Sequence, residues 1–380
     1  MDVDARRLLR ALVWTAYGAL LALGLPPALI LAWVAETAPG RAAAGLCLAL
    51  AAWPLALHRR MGGACAAWPR PYLRLLSAGL PLAALALGAF VLWSAPDGTP
   101  PAGSTLRSRR SSGTYAWWSP FNLVPELDQV KLGAVLAPDL FARIDRGKTR
   151  RILDLTVPLY RAMEADPAYR AAGSAMHLAF RDVFLHGDAA GHYFAYVPPG
   201  RHRVLLFLHG SGGNFKSYCW FWQQYAESRR IAVICPSYGF GDWGRAEAQG
   251  SLDRLLEQLD RDPALDTSDV TLAGLSSGGR GASLLAARHP GRFRALALFS
   301  PVMDAAVLED SSFCKLWSGR KVLVMHGDAD EVIPAAYVAG ASDRLLRSGV
   351  RVNRVELPGE DHFLLFSARD RVHAEMDALR

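Results

Sequence analysis

The chain has 380 residues, 51% of them apolar, and carries 42 lysines and arginines against 35 acidic residues, a formal net charge of +7. That length holds one large domain with appendages. Lysine is scarce and many arginines sit beside apolar segments; no RNA- or DNA-binding motif is present, so a nucleic-acid partner is rejected despite the positive charge. The five cysteines, Cys47, Cys65, Cys219, Cys235 and Cys314, form no C-x-x-C, which argues against a zinc or thioredoxin-like centre. Cys219 and Cys235 stay open between a disulfide, in an extracytoplasmic domain, and two buried thiols.

Three apolar segments open the chain, at about 11–35, 42–57 and 75–93. A membrane span needs about 20 apolar residues, with a lower limit near 17. The first and third meet this. The second is short and carries Pro54, and Pro26-Pro27 is expected to kink the first. The length of the first segment, with further apolar segments behind it, argues against a cleaved signal peptide. Arg6, Arg7 and Arg10 precede the first segment, Arg41 alone separates it from the second, and Arg59, Arg60, Arg70 and Arg74 lie before the third. Three spans then place the N-terminus and the arginine-rich loop before the third segment inside, and everything after Trp93 outside. Two spans would leave four arginines on the wrong side. Arg107, Arg109 and Arg110 count mildly against the three-span topology. Residues 1–95 are therefore read as a membrane region of about three transmembrane helices.

Residues 96–113, rich in Pro, Gly, Ser and Arg, read as a flexible linker. Tyr115, Trp117 and Trp118 follow, suited to packing on a domain or to the lipid interface. Residues 114–172 read as helical, with breaks at Pro138, Pro158 and Pro167 and an apolar face of Ile152, Leu155, Leu159 and Met163. A cap over an active site and a buttressing stalk both fit this pattern.

The periodicity changes in the last segment, 173–380. Runs at 177–185 and 192–197 read as strands joined through Gly187-Asp188. Unbroken apolar runs follow at 204–208, 231–235, 270–273 and 295–299, mostly separated by helical stretches, with further strands expected at 322–325 and 352–357. Such runs alternating with helices mean a mostly parallel α/β sheet covered on both faces.

Between the run at 270–273 and a helix stands Gly274-Leu275-Ser276-Ser277-Gly278. A G-x-S-x-G there is the sequence form of a nucleophile elbow, in which a tight turn pushes the serine hydroxyl out at the sheet's end. Alone the pattern is weak, and a Gly/Ser-rich turn without chemistry is the bland alternative. Its partners strengthen it. A serine needs a base, and the base needs a carboxylate to hold its tautomer. The acid is expected after the next strand but one, where His326-Gly327-Asp328-Ala329-Asp330-Glu331-Val332-Ile333-Pro334 occurs. Asp330 is chosen over Asp328 and Glu331, with Asp304 a remoter candidate. The base is expected after the last strand, at His362 in Pro358-Gly359-Glu360-Asp361-His362-Phe363. The oxyanion donors are the Ser277 amide and an amide of Leu208-His209-Gly210-Ser211-Gly212-Gly213-Asn214, Ser211 first and Gly212 as the alternative. His209 is expected to brace that loop. Trp220, Tyr238 and Trp243, near the same strand ends, are substrate-contact candidates, with core packing the competing reading.

Together, LHGSGGN, GLSSG, HGDADEVIP and GEDHF resemble the α/β-hydrolase superfamily, and within it serine esterases of the carboxylesterase/phospholipase, feruloyl-esterase and prolyl-oligopeptidase-like groups. The resemblance covers roughly 176–380 and no part of the membrane region. It implies an α/β-hydrolase fold and a serine hydrolase that cleaves a carboxylic ester through an acyl-enzyme on Ser276. The substrate would be a small-molecule, lipid or glycan ester, with no cofactor and no metal. Ile333 stands where these groups often have valine. Peptidases and acyltransferases use the same machinery, and a catalytically silent receptor keeps the fold, so these alternatives stay open. The expected setting is a multi-pass membrane protein with an extracytoplasmic catalytic domain.

Overall fold

The computed structural model describes residues 3–60, 70–109, 120–136, 146–176, 178 and 192–379. It divides into two compact units, Met1–Asp97 with Trp117–Leu153, and Gly98–Ala116 with Asp154–Arg380. The expected strand at 177–185, the turn at Gly187-Asp188, Arg110, Tyr115, Trp117, Trp118, Pro138 and Cys65 fall outside the described residues, save Leu178.

The first unit contains α1 (Val3–Val34), α2 (Ala38–Arg60) and α3 (Arg70–Ser94). Their apolar stretches, Ala11–Val34, Ala38–Arg60 and Tyr72–Ser94, are long and apolar enough to cross a membrane. The second is a 23-residue helix, not the short segment its apolar core suggests, and Pro54 lies within it. Pro26 and Pro27 likewise lie within a helix that continues to Val34. Ala42, Ala43 and Ala44 are buried on α2, and such small residues let transmembrane helices approach closely. Leu31, Ala35 and Val91 complete the cluster, and Leu123, Val124 and Leu132 pack against it.

Leu132 belongs to α4 (Glu126–Leu136), which delivers Asp128 to the start of α2. The buried Asp128 carboxylate accepts from the Glu36 amide at 2.8 Å and from the Thr37 hydroxyl. It therefore serves the unpaired N–H end of α2 from another helix, where the helix dipole also favours negative charge. The segment 114–172, expected as one stalk or cap, is divided instead, with 117–153 in the first unit. The helix α5 (Arg146–Ala165) contains the division.

The second unit is built on an eight-stranded sheet. Its strands are β1 (Leu106–Arg109), β2 (Tyr193–Tyr196), β3 (His202–Leu208), β4 (Ala232–Pro236), β5 (Leu265–Leu275), β6 (Phe293–Phe299), β7 (Lys321–Gly327) and β8 (Arg351–Leu357). Their order is β1-β2-β4-β3-β5-β6-β7-β8; β2 is antiparallel to both its neighbours, β1 and β4, and every other adjacent pair is parallel. β1 lies inside the 96–113 segment expected as a linker, paired from Leu106↔Tyr196 to Arg109↔Tyr193. It is short, and buries Leu106 while exposing Arg107 and Arg109, so its composition reads as a linker although it forms an edge strand.

The central strands bury both faces, because alternate side chains point to opposite sides. Leu206 and Leu208 meet Leu252 and Leu255 of α8 (Ala246–Asp260), Ala282 and Leu285 of α9 (Ser277–Arg288), and Val338 of α12 (Ala335–Arg347) in one core. On the other face, Phe207 meets Trp222 of α7 (Phe215–Glu227) at 5.4 Å between ring centroids. Phe221 of α7 meets His373 of α14 (Arg369–Ala378) there at 5.8 Å. The short helix α6 (Pro167–Ala171) docks on α7, where Tyr169 Oη donates to Gln223 Oε1 at 2.7 Å. The buried Lys216 ammonium also donates to the Gly173 carbonyl. Tyr169 and Gly173 thus tie this segment to α7. Cys219 and Cys235 are buried free thiols, as is Cys314.

Candidate active site

β5 runs into α9 through Ser276, whose backbone stands at φ 52°, ψ −120°. A serine in that region is strained, and strain of this kind persists only where surroundings over-determine it. They do so here. The Ser276 amide donates to Phe299 O at 3.0 Å, and its carbonyl accepts from Gly279 and Val302, each at 2.9 Å. The two motif glycines are required by close approach. A Cβ on Gly274 would stand 2.3 Å from Gly278 O, and one on Gly278 would stand 2.1 Å from Leu208 O.

The loop after β3 rides against this elbow. A Cβ on Gly210 would lie 3.1 Å from Ser276 Cβ. The Gly213 amide donates to Gly210 O at 3.0 Å, closing a β-turn with Gly212 at φ 71°, as a type II turn needs at its third position. The Gly212 amide donates to Phe240 O at 2.8 Å. The Gly212 amide is thus engaged with the loop after β4, while the Ser211 hydroxyl donates to Ser277 Oγ at 3.0 Å.

His209 braces this loop. Its Nδ1–H donates to Gly210 O at 2.8 Å, so Nε2, 2.9 Å from Ser237 Oγ, accepts the serine proton. Burial drives its pKa down to about 4, and the ring is neutral near pH 7. Trp243 is 1% exposed and donates its indole N–H to His209 O at 2.8 Å. It holds the loop from within and does not line an open surface. Tyr238 is buried in the same core. Trp220 is half-buried on α7 and meets Tyr169 edge-to-face at 5.0 Å. Of the three substrate-contact candidates, Tyr238 and Trp243 are buried and Trp220 is half-buried.

Asp330 follows β7 and His362 follows β8. His362 Nδ1 lies 2.8 Å from Asp330 Oδ2. A carboxylate only accepts, so Nδ1 carries a proton and donates to Asp330. The other Asp330 oxygen accepts from the Val332 and Ile333 amides at 2.8 and 2.9 Å. Burial alone would raise the Asp330 pKa; His362 and these two amides outweigh it and hold the carboxyl below its ordinary value. Two of the competing carboxylates, Asp328 and Asp304, are engaged elsewhere. Asp328 accepts from the Gly359 amide at 2.6 Å, and Asp304 pairs with Arg280 at 3.0 Å and caps α10 (Ala305–Glu309).

A second histidine, His326, stands beside this pair, and no sequence motif singles it out. It is 3% exposed, and its Nδ1 stands 3.8 Å from Asp330 Oδ2, beside the oxygen that meets His362. Burial lowers its pKa and favours a neutral ring there. It lies near the end of β7, in the sequence run that also carries Asp330.

Residues 205–317 match the family model described as Alpha/beta hydrolase family. No curated protein matches the chain. Among solved structures it is similar to esterase PE8 at 21% identity, over 48% of this chain and 94% of that one, with a TM-score of 0.41. It is similar to Est1E from Butyrivibrio proteoclasticus at 17% identity, over 50% of this chain and 96% of that one, with a TM-score of 0.38. A candidate dipeptidyl aminopeptidase IV from Bacteroides ovatus is similar at 16% identity and a TM-score of 0.40, over 50% of this chain. The present chain spans 33% of that protein's length. With its family-model match and its mostly parallel sheet, the second unit has the α/β-hydrolase fold.

Proposed function

We propose that the protein is a membrane-anchored serine hydrolase that cleaves a carboxylic ester through an acyl-enzyme on Ser276, with its second unit outside the cytoplasm. The observation that carries this reading is the 2.8 Å contact between Asp330 and His362, in the same unit as a serine held at φ 52° on an elbow. In this mechanism His362 Nε2 takes the Ser276 proton as Oγ attacks the acyl carbon, and Asp330 stabilises the imidazolium. The oxyanion receives hydrogen bonds from the Ser277 and Ser211 amides, and the N-terminus of α9 adds a favourable dipole. His362 then gives its proton to the leaving alkoxide, and the alcohol departs. Water, deprotonated by the same ring, attacks the acyl-enzyme and releases the carboxylic acid and Ser276. The substrate is a small-molecule, lipid or glycan ester.

The full-length chain in detergent is treated with p-nitrophenyl acetate and with a fluorophosphonate probe. Turnover together with labelling at Ser276 is expected, and both vanish in Ser276→Ala. A folded native chain that takes no label at Ser276 defeats the reading. The arginines around the first three helices support the proposed sidedness. A membrane-impermeant fluorophosphonate is expected to label intact cells; labelling only after lysis would place the unit in the cytosol.

A further inference from the structure

We propose that Ser211 and Ser277 are a positioning pair, whose hydroxyl–hydroxyl hydrogen bond sets the separation of the two amides that receive the oxyanion. This rests on the serine-hydrolase reading and adds to it two side chains that take no part in the bond-making steps.

The two residues come from different elements, Ser211 from the turn after β3 and Ser277 from the first position of α9. Ser211 Oγ donates to Ser277 Oγ at 3.0 Å. Each residue also carries one of the two proposed oxyanion amides, so a single side-chain bond links the backbone units that must act together. Ser211 is exposed and Ser277 half-buried, where water competes for both hydroxyls. A bond there contributes little to folding stability, so its consequence is geometric. Oxyanion donors work within a narrow range of about 2.7–3.1 Å, so a small drift of either amide costs rate.

The neighbouring loop holds the pair on its other side. The Gly212 amide is fixed to Phe240 O, so the turn cannot substitute that amide for Ser211 without breaking a 2.8 Å bond. The next residue, Gly241, packs on the pair; a Cβ there would stand 3.0 Å from Ser277 Oγ. Three loops, after β3, β4 and β5, therefore meet at the Ser211–Ser277 contact. The nucleophile's own backbone is fixed separately, through Phe299, Gly279 and Val302. Loss of the bridge should leave Ser276 in place and loosen its oxyanion donors.

The test uses the full-length chain with Ser211→Ala, Ser277→Ala, the double variant and Ser211→Thr. Readouts are kcat and KM for p-nitrophenyl acetate, and the inhibition constant of an aryl trifluoromethyl ketone, which forms a tetrahedral adduct with a nucleophilic serine. Each alanine variant is expected to lose roughly tenfold in kcat, with KM within about twofold and ketone binding weakened in parallel. The double variant should be no worse than the poorer single, because one bond is lost once. Ser211→Thr keeps a hydroxyl and should retain more than about half of the native kcat. Alanine variants within about twofold of native kcat, or a double loss equal to the product of the singles, overturn the pair. Ser211 is solvent-facing, so its substitution reads the bridge even if Ser277→Ala folds poorly. A native chain unlabelled at Ser276 fails the hydrolase reading and this inference with it. A labelled native chain with unaffected alanine variants fails this inference alone.

Discussion

Gly278 lies against the end of β3, close enough that a Cβ there would stand 2.1 Å from Leu208 O and 2.8 Å from His209 O. The obstacle is backbone of a central strand and cannot move aside. Gly278→Ala is therefore expected to cost about 3 kcal/mol or more, or to prevent folding of the second unit. Gly291→Ala is the control, because a Cβ there meets nothing within 4 Å. Thermal unfolding of the two variants in detergent checks this; equal midpoints would contradict the packing argument.

Asp330→Asn keeps the shape of the carboxylate and removes its charge. The amide can donate to His362 Nδ1 and so favour the wrong tautomer, with the proton on Nε2. A fall of about 10⁴-fold in kcat is expected, with fold and KM little changed. Asp328→Asn, at a side chain whose contact is the Gly359 amide, should keep kcat within about threefold. Steady-state hydrolysis of p-nitrophenyl acetate by both variants decides between the two carboxylates.

His209 links stability to pH. Its folded pKa is about 4, against an ordinary value near 6.5. Between those values the unfolded chain binds a proton that the folded chain refuses. Stability is thus full above pH ~6.5 and falls as the pH drops toward ~4, by up to ~1.4 kcal/mol per unit from this one group. His373, also lowered to about 4 by burial, acts in the same direction and window. Denaturant midpoints at pH 7, 6 and 5 should fall in that order, and less steeply in His209→Gln. A flat profile in the native chain would show that neither ring is buried neutral.

In the first unit, Asp128→Ala removes the carboxylate that serves Glu36 N and Thr37 Oγ1 at the start of α2. The expected cost is about 1–2 kcal/mol, the scale of a lost helix cap. Asp128→Asn keeps an acceptor oxygen and should lose less. Unfolding midpoints in detergent check the ranking, and an alanine variant as stable as the asparagine variant would argue against the cap.

Much of the second unit was legible in the chain, because its information is local. Unbroken apolar runs such as 204–208 and 295–299 can be satisfied only by strands covered on both faces. Gly274 and Gly278 announce a close approach by lacking a side chain. β1 was illegible for the opposite reason, since a short edge strand with two arginines has the composition of a linker. The three long apolar helices of the first unit were legible from their apolar length. The partnership of α4 with α2 was not, because Asp128 and Thr37 are 91 residues apart.

The sequence by itself determined which candidate catalytic groups the chain possesses and the order in which they come: Ser276, then a carboxylate, then His362. Only the tertiary structure decided which atoms are already spoken for. Asp330 rather than Asp328 meets His362, because the loop after β7 turns one carboxylate inward and leaves the other with the Gly359 amide. Gly212 is committed to Phe240, and Trp243 to His209. A hydrogen-bonding group has a limited number of partners, and those partners arrive from distant strands. Spacing along the chain names the candidates, and packing in space settles their engagements.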